Sequence, residues 1–296
     1  MRVASGKESV LPPPVVQERY PQSSSRRISR DHAADDAATI TSTKRFFLEE
    51  IDEERVLPLL SAYCFMTGFI NAVCFSAIFG WCASQTGNTF QLSIAVGRFA
   101  DEEPDRSFRL SDRLALCSLL SFILGVLIGR LGDTIGPKTR LWMACGTLIQ
   151  TLFTMAAAVS VWKSGVPTFG DAGAGPAWNN VLAFTCLGFM SASMGLQGLM
   201  AKRLNTQFST TVVLTSIWCE LVGEPKLFHM RRRVVERDHK MMTIAACFAG
   251  GFCGRALLGE VGAACTLGVA TGFRLFISAW WLAAPKKMDE DEDQEK

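Results

Sequence analysis

Between residues 56 and 97 there is no aspartate, glutamate, lysine or arginine, and the same absence recurs over 114–129, 141–162, 172–201, 204–219 and 241–254. A buried helix of a soluble protein keeps a polar face at a period of 3.6 residues. Uncharged runs of this length exclude that class. They match what a bilayer demands, since a helix needs about 20 apolar residues to cross a core roughly 30 Å thick. The bulk values, a net charge of +2 with 20% charged residues and a mean hydropathy of +0.21, average these tracts with polar ends.

Further absences narrow the chemistry. The ten cysteines, at 64, 74, 82, 117, 145, 186, 219, 247, 253 and 265, form no CxxC pair. They read as small buried apolar residues and not as disulfide staples or metal ligands. The three histidines, His32, His229 and His239, lie in charged segments, so no metal or cofactor is expected. There is no His-Glu-x-x-His, no Gly-x-Ser-x-Gly and no carboxylate pair in the apolar tracts, so the chain is not expected to be an enzyme. The start lacks the 7–15-residue apolar core of a secretory signal, which leaves targeting to the first span.

What is present divides into three. Residues 1–45 are rich in Ser, Pro, Asp, Arg and Ala, too polar to build a core, and are expected to be a disordered cytoplasmic tail. Within them Arg26-Arg27-Ile28-Ser29 has the form of a basophilic kinase site. Residues 46–285 form the membrane domain, and 286–296 an acidic tail.

The fold expected is all-α, a polytopic transmembrane helical bundle with spans at 56–80, 114–131, 141–162, 181–200, 241–258 and 261–282. Two shorter, polar segments, 82–97 and 206–222, are either tilted spans or re-entrant half-helices sheltered by their neighbours. The count is therefore six spans or eight. The loop 224–240 carries Lys226, Arg231, Arg232, Arg233, Arg237 and Lys240, which marks it as cytoplasmic. Lys286 and Lys287 agree, and both counts place the two termini on that side.

The chain also matches itself. Gly68-Phe69 and Ala72 meet Gly188-Phe189 and Ala192 at an offset of 120; Thr86, Ser93 and Ile94 meet Ser209, Ser216 and Ile217 at 123; Gly125, Gly129 and Arg130 meet Gly250, Gly254 and Arg255 at 125. With six spans such a repeat is inverted, the plan of many secondary transporters, whose sites lie on broken helices near the midplane. With eight it is parallel.

In either case the paired polar segments point to a site. Gln85, Thr86, Gly87, Asn88 and Thr89 offer amides and hydroxyls without an ionisable group, and Gly87 admits close backbone approach. Thr210 and Thr211 are their counterparts, and Gln197 joins them as a candidate. The competing reading makes the same residues glue between helices. Gly125 with Gly129 and Gly250 with Gly254 have the small-residue spacing of close helix packing, and Gly268 with Gly272 repeats it. Arg274 is the deepest charge; Glu220 is a candidate partner, with snorkelling to the interface as the other outcome.

At these residues the chain resembles the YoaK-like family of multi-pass membrane proteins, a domain of unknown function. The elements that carry the resemblance are Gly68-Phe69-Ile70-Asn71-Ala72, Thr86-Gly87-Asn88-Thr89, Gly125 to Gly129, Met194-Gly195-Leu196-Gln197 and Thr210-Thr211-Val212-Val213-Leu214-Thr215. The resemblance spans roughly 56–282 and implies a multi-pass topology without an activity. Asn71 stands where the family has Asp, which removes a titratable carboxylate, and Ser216 where it usually has Gly. The expected function is transport of a small polar solute across a lipid bilayer, with no nucleic acid partner. The alternative is a non-transporting scaffold or regulator acting through the tail and the basic loop.

Overall fold

A computed structural model describes residues 45–52, 55–78, 80–100, 107–164, 181–204, 214–228 and 234–287. The kinase-type site at 26–29, Thr210, Thr211, and the arginines at 231–233 lie outside the described residues, as does most of both tails. The helices are α1 (Leu57–Ile78), α2 (Gln85–Ala100), α3 (Leu110–Gly129), α4 (Gly132–Ile135), α5 (Arg140–Ser164), α6 (Val181–Arg203), α7 (Leu214–Val222) and α8 (Val235–Leu282). The described residues hold only isolated β-bridges, Glu50 with Thr139 and Ile51 with Lys286. The chain is all-α, as its sequence predicts.

Five helical stretches are long and apolar enough to cross a membrane: 57–78, 110–135, 140–164, 181–203 and 235–282. The last is 48 residues long and is broken at Gly262, whose φ of 76° and ψ of 170° belong to a region that glycine alone enters without strain. Its two arms, 235–261 and 263–282, take the place of the spans expected at 241–258 and 261–282. Arg255 and Glu260 are exposed in the last turns before that break, not in an irregular turn. Outward-facing Leu120, Leu124, Leu152, Phe248, Phe252 and Phe276 give the bundle an apolar exterior, the surface a hydrocarbon solvent favours.

Side-chain pairings fix the direction of each helix. Segment 49–52 ties the start of α1 to two other connections: Ile51 N–H donates to the Lys138 carbonyl and Asp52 N–H to that of Pro285, each at 3.0 Å. Arg140, at the start of α5, donates to the Ala284 carbonyl at 2.9 Å and to Glu49 at 2.7 Å. The starts of α1 and α5 and the end of α8 therefore share one end of the bundle. Arg203 of α6 reaches Asp133 of α4 at the same end, at 2.8 Å. α3 runs parallel to α6, since Cys117 meets Phe184 near their starts and Gly129 faces Leu196 and Leu199 near their ends. The first half thus runs out, back and out, and the second half back, out and back. With three long passes each, the halves are inverted.

α2 does not cross. At about 1.5 Å per residue its 16 residues span about 24 Å. It begins against Ser118, in the middle of α3, and ends beside Asp112, in the first turn of α3. Chain 80–84 folds back into the bundle and α2 leads out again at the end where α1 stops. Asp112 holds the exit: fully buried, its carboxylate pairs with Arg98 of α2 and accepts hydrogen bonds from Gln91 at 2.7 Å and from the Arg109 N–H at 2.8 Å.

The repeat is visible as two helix crossings with the same construction. Where α1 meets the first arm of α8, a Cβ on Gly68 would strike the Cys247 carbonyl and one on Gly250 the Phe65 carbonyl. Where α6 meets α3, a Cβ on Gly195 would strike the Phe122 carbonyl and one on Gly125 that of Ala192. Backbones approach this closely only through glycine. The equivalence is Gly125 with Gly250 and Gly68 with Gly195, an offset of 127 for the latter pair. The sequence match of Gly68 to Gly188 is seven residues, two helical turns, out of register.

Candidate functional site

One face of α1 carries Tyr63, Thr67 and Asn71 at successive intervals of four, which stacks them along the helix. Around this stripe two polar clusters meet. The outer one is built by the fold-back. The Asn71 side-chain oxygen accepts from the Ala83 N–H at 3.2 Å and from the Cys82 thiol at 3.3 Å. Gln85 donates to the Cys82 carbonyl at 2.9 Å. Asn88 donates to the Trp81 carbonyl at 2.8 Å, to Gln85 at 2.9 Å and to Ser118 at 3.0 Å. Ser118 in turn donates to the Trp81 carbonyl at 2.8 Å and shares a hydrogen bond with Ser191 of α6 at 2.9 Å. These bonds tie the irregular stretch 80–84 to three helices, as buried backbone away from water requires.

A cleft of about 320 Å³ opens beside this cluster, lined by Trp81, Gly87, Asn88 and Gln91 and by Leu110, Ser111 and Leu114 of α3. The α2 candidates therefore separate. Asn88 is buried in the cluster and Gln85 half-buried, whereas Thr86, Gly87 and Thr89 are exposed, the Thr89 hydroxyl donating to the Gln85 carbonyl at 2.9 Å.

The inner cluster surrounds Arg274, only 1% exposed in the second arm of α8. Its guanidinium donates to Gln150 of α5 at 3.0 Å and to Gln197 of α6 at 3.4 Å. Gln197 donates to Thr67 at 2.8 Å and to the Tyr63 carbonyl at 3.1 Å. The Tyr63 hydroxyl shares a hydrogen bond with Thr147 at 2.5 Å and accepts one from the Trp281 indole at 3.2 Å. Gln197 is thus a member of this cluster and not of the α2 cluster. The two join through α1, where the Asn71 amide donates to the Thr67 carbonyl at 3.1 Å. One line of hydrogen-bonding groups runs from the cleft to the centre of the bundle.

Arg274 does not pair with Glu220. Glu220 faces Lys240 at 3.8 Å, at the end where Arg237 and Lys226 meet. Nor does Arg274 snorkel, since four helices enclose it. Holding a cation at the centre of a membrane helix costs about 2.5–3.5 kcal/mol on insertion scales, so neutral amides alone are an unusual shell for it. Tyr63, Thr67, Ser118, Thr147, Gln150, Ser191 and Trp281 escaped the sequence reading. The four-residue stripe on α1, inside an uncharged tract, was the signal for the first two. The rest depend on which helices become neighbours.

No curated protein and no solved structure shows a significant match to the chain. A family model described as a protein of unknown function, DUF1275, matches residues 59–280, from the third residue of α1 to near the end of α8. The resemblance to YoaK-like proteins is consistent with that match, which contains both crossings, the outer cluster and all of the inner cluster but Trp281, and the chain belongs to this membrane-protein family of unknown function, DUF1275.

Proposed function

We propose that the chain is a transporter of a small polar solute, embedded in a lipid bilayer with its basic end in the cytoplasm. The observation that carries this reading is the succession of hydrogen-bonding groups from the cleft at Asn88, along Asn71 and Thr67, to the bundle centre. A re-entrant helix, inverted halves and irregular backbone at bundle depth are the parts from which secondary transporters build midplane sites. Orientation follows from charge. Arg55, Lys138, Arg140, Lys202, Arg203, Lys226, Arg237, Lys240 and Lys286 gather at the end where α1 begins, against Arg98, Arg109, Arg113, Lys163 and Arg255 at the other; cytoplasmic loops carry the excess of Lys and Arg.

Solute flux into proteoliposomes tests the proposal. Asn88→Val and Ser118→Val, which strip the outer cluster of hydrogen-bonding groups, are expected to cut flux about tenfold or more, since each leaves buried partners unpaired at about 1–3 kcal/mol. Thr86→Val, on the exposed face of α2, is expected to leave flux near wild type. Equal flux in all three variants across a broad panel of solutes defeats the transport reading.

A further inference from the structure

The charge at the bundle centre suggests what the solute is. Among the described residues, the other buried arginines each have a carboxylate partner: Arg140 has Glu49 at 2.7 Å and Arg237 has Asp238 at 2.6 Å. Arg274 is more deeply buried than either and, among the described residues, is held only by the amide oxygens of Gln150 and Gln197. A guanidinium has five N–H donors. Two are used here, and Nε is buried with no hydrogen-bond partner. The edge formed by Nε and a neighbouring terminal nitrogen is the fork that accepts a two-oxygen anion bidentately. The Tyr63 and Thr147 hydroxyls and the Trp281 indole bond one another, with Thr147 donating on to the Met143 carbonyl at 2.7 Å, and no acid is among the described partners of Arg274.

Resting on the transport reading, we propose that Arg274 is the recognition residue of the inner cluster and that the solute it takes is a small carboxylate. Gln150 and Gln197 position the guanidinium without neutralising it. The burial of Arg274 favours a solute of a few heavy atoms. The route is the line of neutral groups from the cleft, which hydrate an anion without trapping it.

The test uses the purified full-length protein and follows thermal unfolding in potassium acetate against potassium chloride at matched ionic strength, with acetamide as neutral isostere and inorganic phosphate as a second anion. Acetate is expected to stabilise saturably and acetamide not at all. Arg274→Lys, which keeps the charge and loses the fork, is expected to need about tenfold more acetate, and Arg274→Gln to lose the response. Gln150→Glu guards against a variant that fails to fold. It places a carboxylate where an amide already lies 3.0 Å from the guanidinium, and gives up the amide's contact with the Tyr63 hydroxyl and its weak bond to the Met200 sulfur at 3.2 Å. That variant is expected to fold at least as well as wild type and to ignore acetate. A retained acetate response in Gln150→Glu, equal stabilisation by acetamide, or stabilisation by phosphate alone each overturns the assignment. Uptake of a neutral solute that Gln150→Glu leaves unchanged overturns it while transport stands. Acetate binding that Gln150→Glu abolishes, without flux of any solute tested, upholds the site and removes transport.

Discussion

The two helix crossings, α1 on α8 and α6 on α3, share a backbone plan and differ in what their helices carry. In each, a glycine on one helix meets a carbonyl three residues before the reciprocal glycine of the other: Gly68 with Cys247 and Gly250 with Phe65, Gly195 with Phe122 and Gly125 with Ala192. In the register these joints set, the α1 stripe Tyr63, Thr67 and Asn71 falls on Met190, Met194 and Gly198 of α6. Hydroxyls and an amide on one copy are thioethers and glycine on the other. The joint is held constant because only glycine fits it, and polarity is free to diverge because it lies on another face. The architecture is the property the halves share, and the polar stripe of α1 has no polar counterpart at these three positions of α6.

The largest effect is expected from breaking either joint. A side chain on Gly125 or Gly250 meets backbone, which no rotamer change relieves, so the helices must part. Overpacking costs about 1–3 kcal/mol and occasionally more, and with leucine at these positions the upper end applies. Gly125→Leu and Gly250→Leu are both expected to abolish the monodisperse peak in size-exclusion chromatography. If one variant folds like wild type and the other does not, the two crossings are not the same joint.

This comparison also shows what the sequence could disclose. The spans were legible because charge within a bilayer is so costly that its absence marks each helix directly. The glycines at 125, 129, 250 and 254 were legible from their spacing. Register was not: apolar helices rich in small residues resemble themselves every turn, so Gly68 matched Gly188 as readily as Gly195. The partners of Arg274 stayed hidden for a related reason. Coulombic pairing suggests an acid such as Glu220, whereas Gln150 and Gln197 are neutral and distant in sequence, and only α5 and α6 closing around α8 makes them neighbours. The fold-back of 80–84 is likewise invisible locally, because Asn71 and Ser118 supply the partners that make it tolerable.

The ties that hold the short helices give the next largest effect. Asp112 of α3 grips Arg98 of α2 at one end of the bundle, and Lys240 of α8 faces Glu220 of α7 at the other, with the signs exchanged. Asp112 is fully buried, whereas the Glu220 side chain is 53% exposed. Removing one member of a buried pair costs about 3–5 kcal/mol; removing an exposed one costs about 0–1 kcal/mol. In thermal unfolding, Asp112→Ala is therefore expected to lower the midpoint severely and Glu220→Ala to move it little. Equal losses would mean that α7 is anchored as rigidly as α2 and that the halves have not diverged in this respect.

The smallest effect separates glycine spacing from glycine function. Gly268 and Gly272 repeat the interval of the joint glycines, yet a Cβ added to either meets nothing within 4 Å, and both face outward in the second arm of α8. Among the described residues they hold no partner helix. Alanine there removes the helix penalty of glycine, about 0.8–1.0 kcal/mol per residue in peptides, without a clash to offset it. Gly268→Ala and Gly272→Ala are expected to leave elution volume unchanged and the unfolding midpoint equal or slightly raised, beside the collapse of Gly125→Leu and Gly250→Leu. A loss of stability, or a shift in elution, would mean that this face of α8 packs closely on another surface, and the contrast between the two kinds of glycine would have to be redrawn.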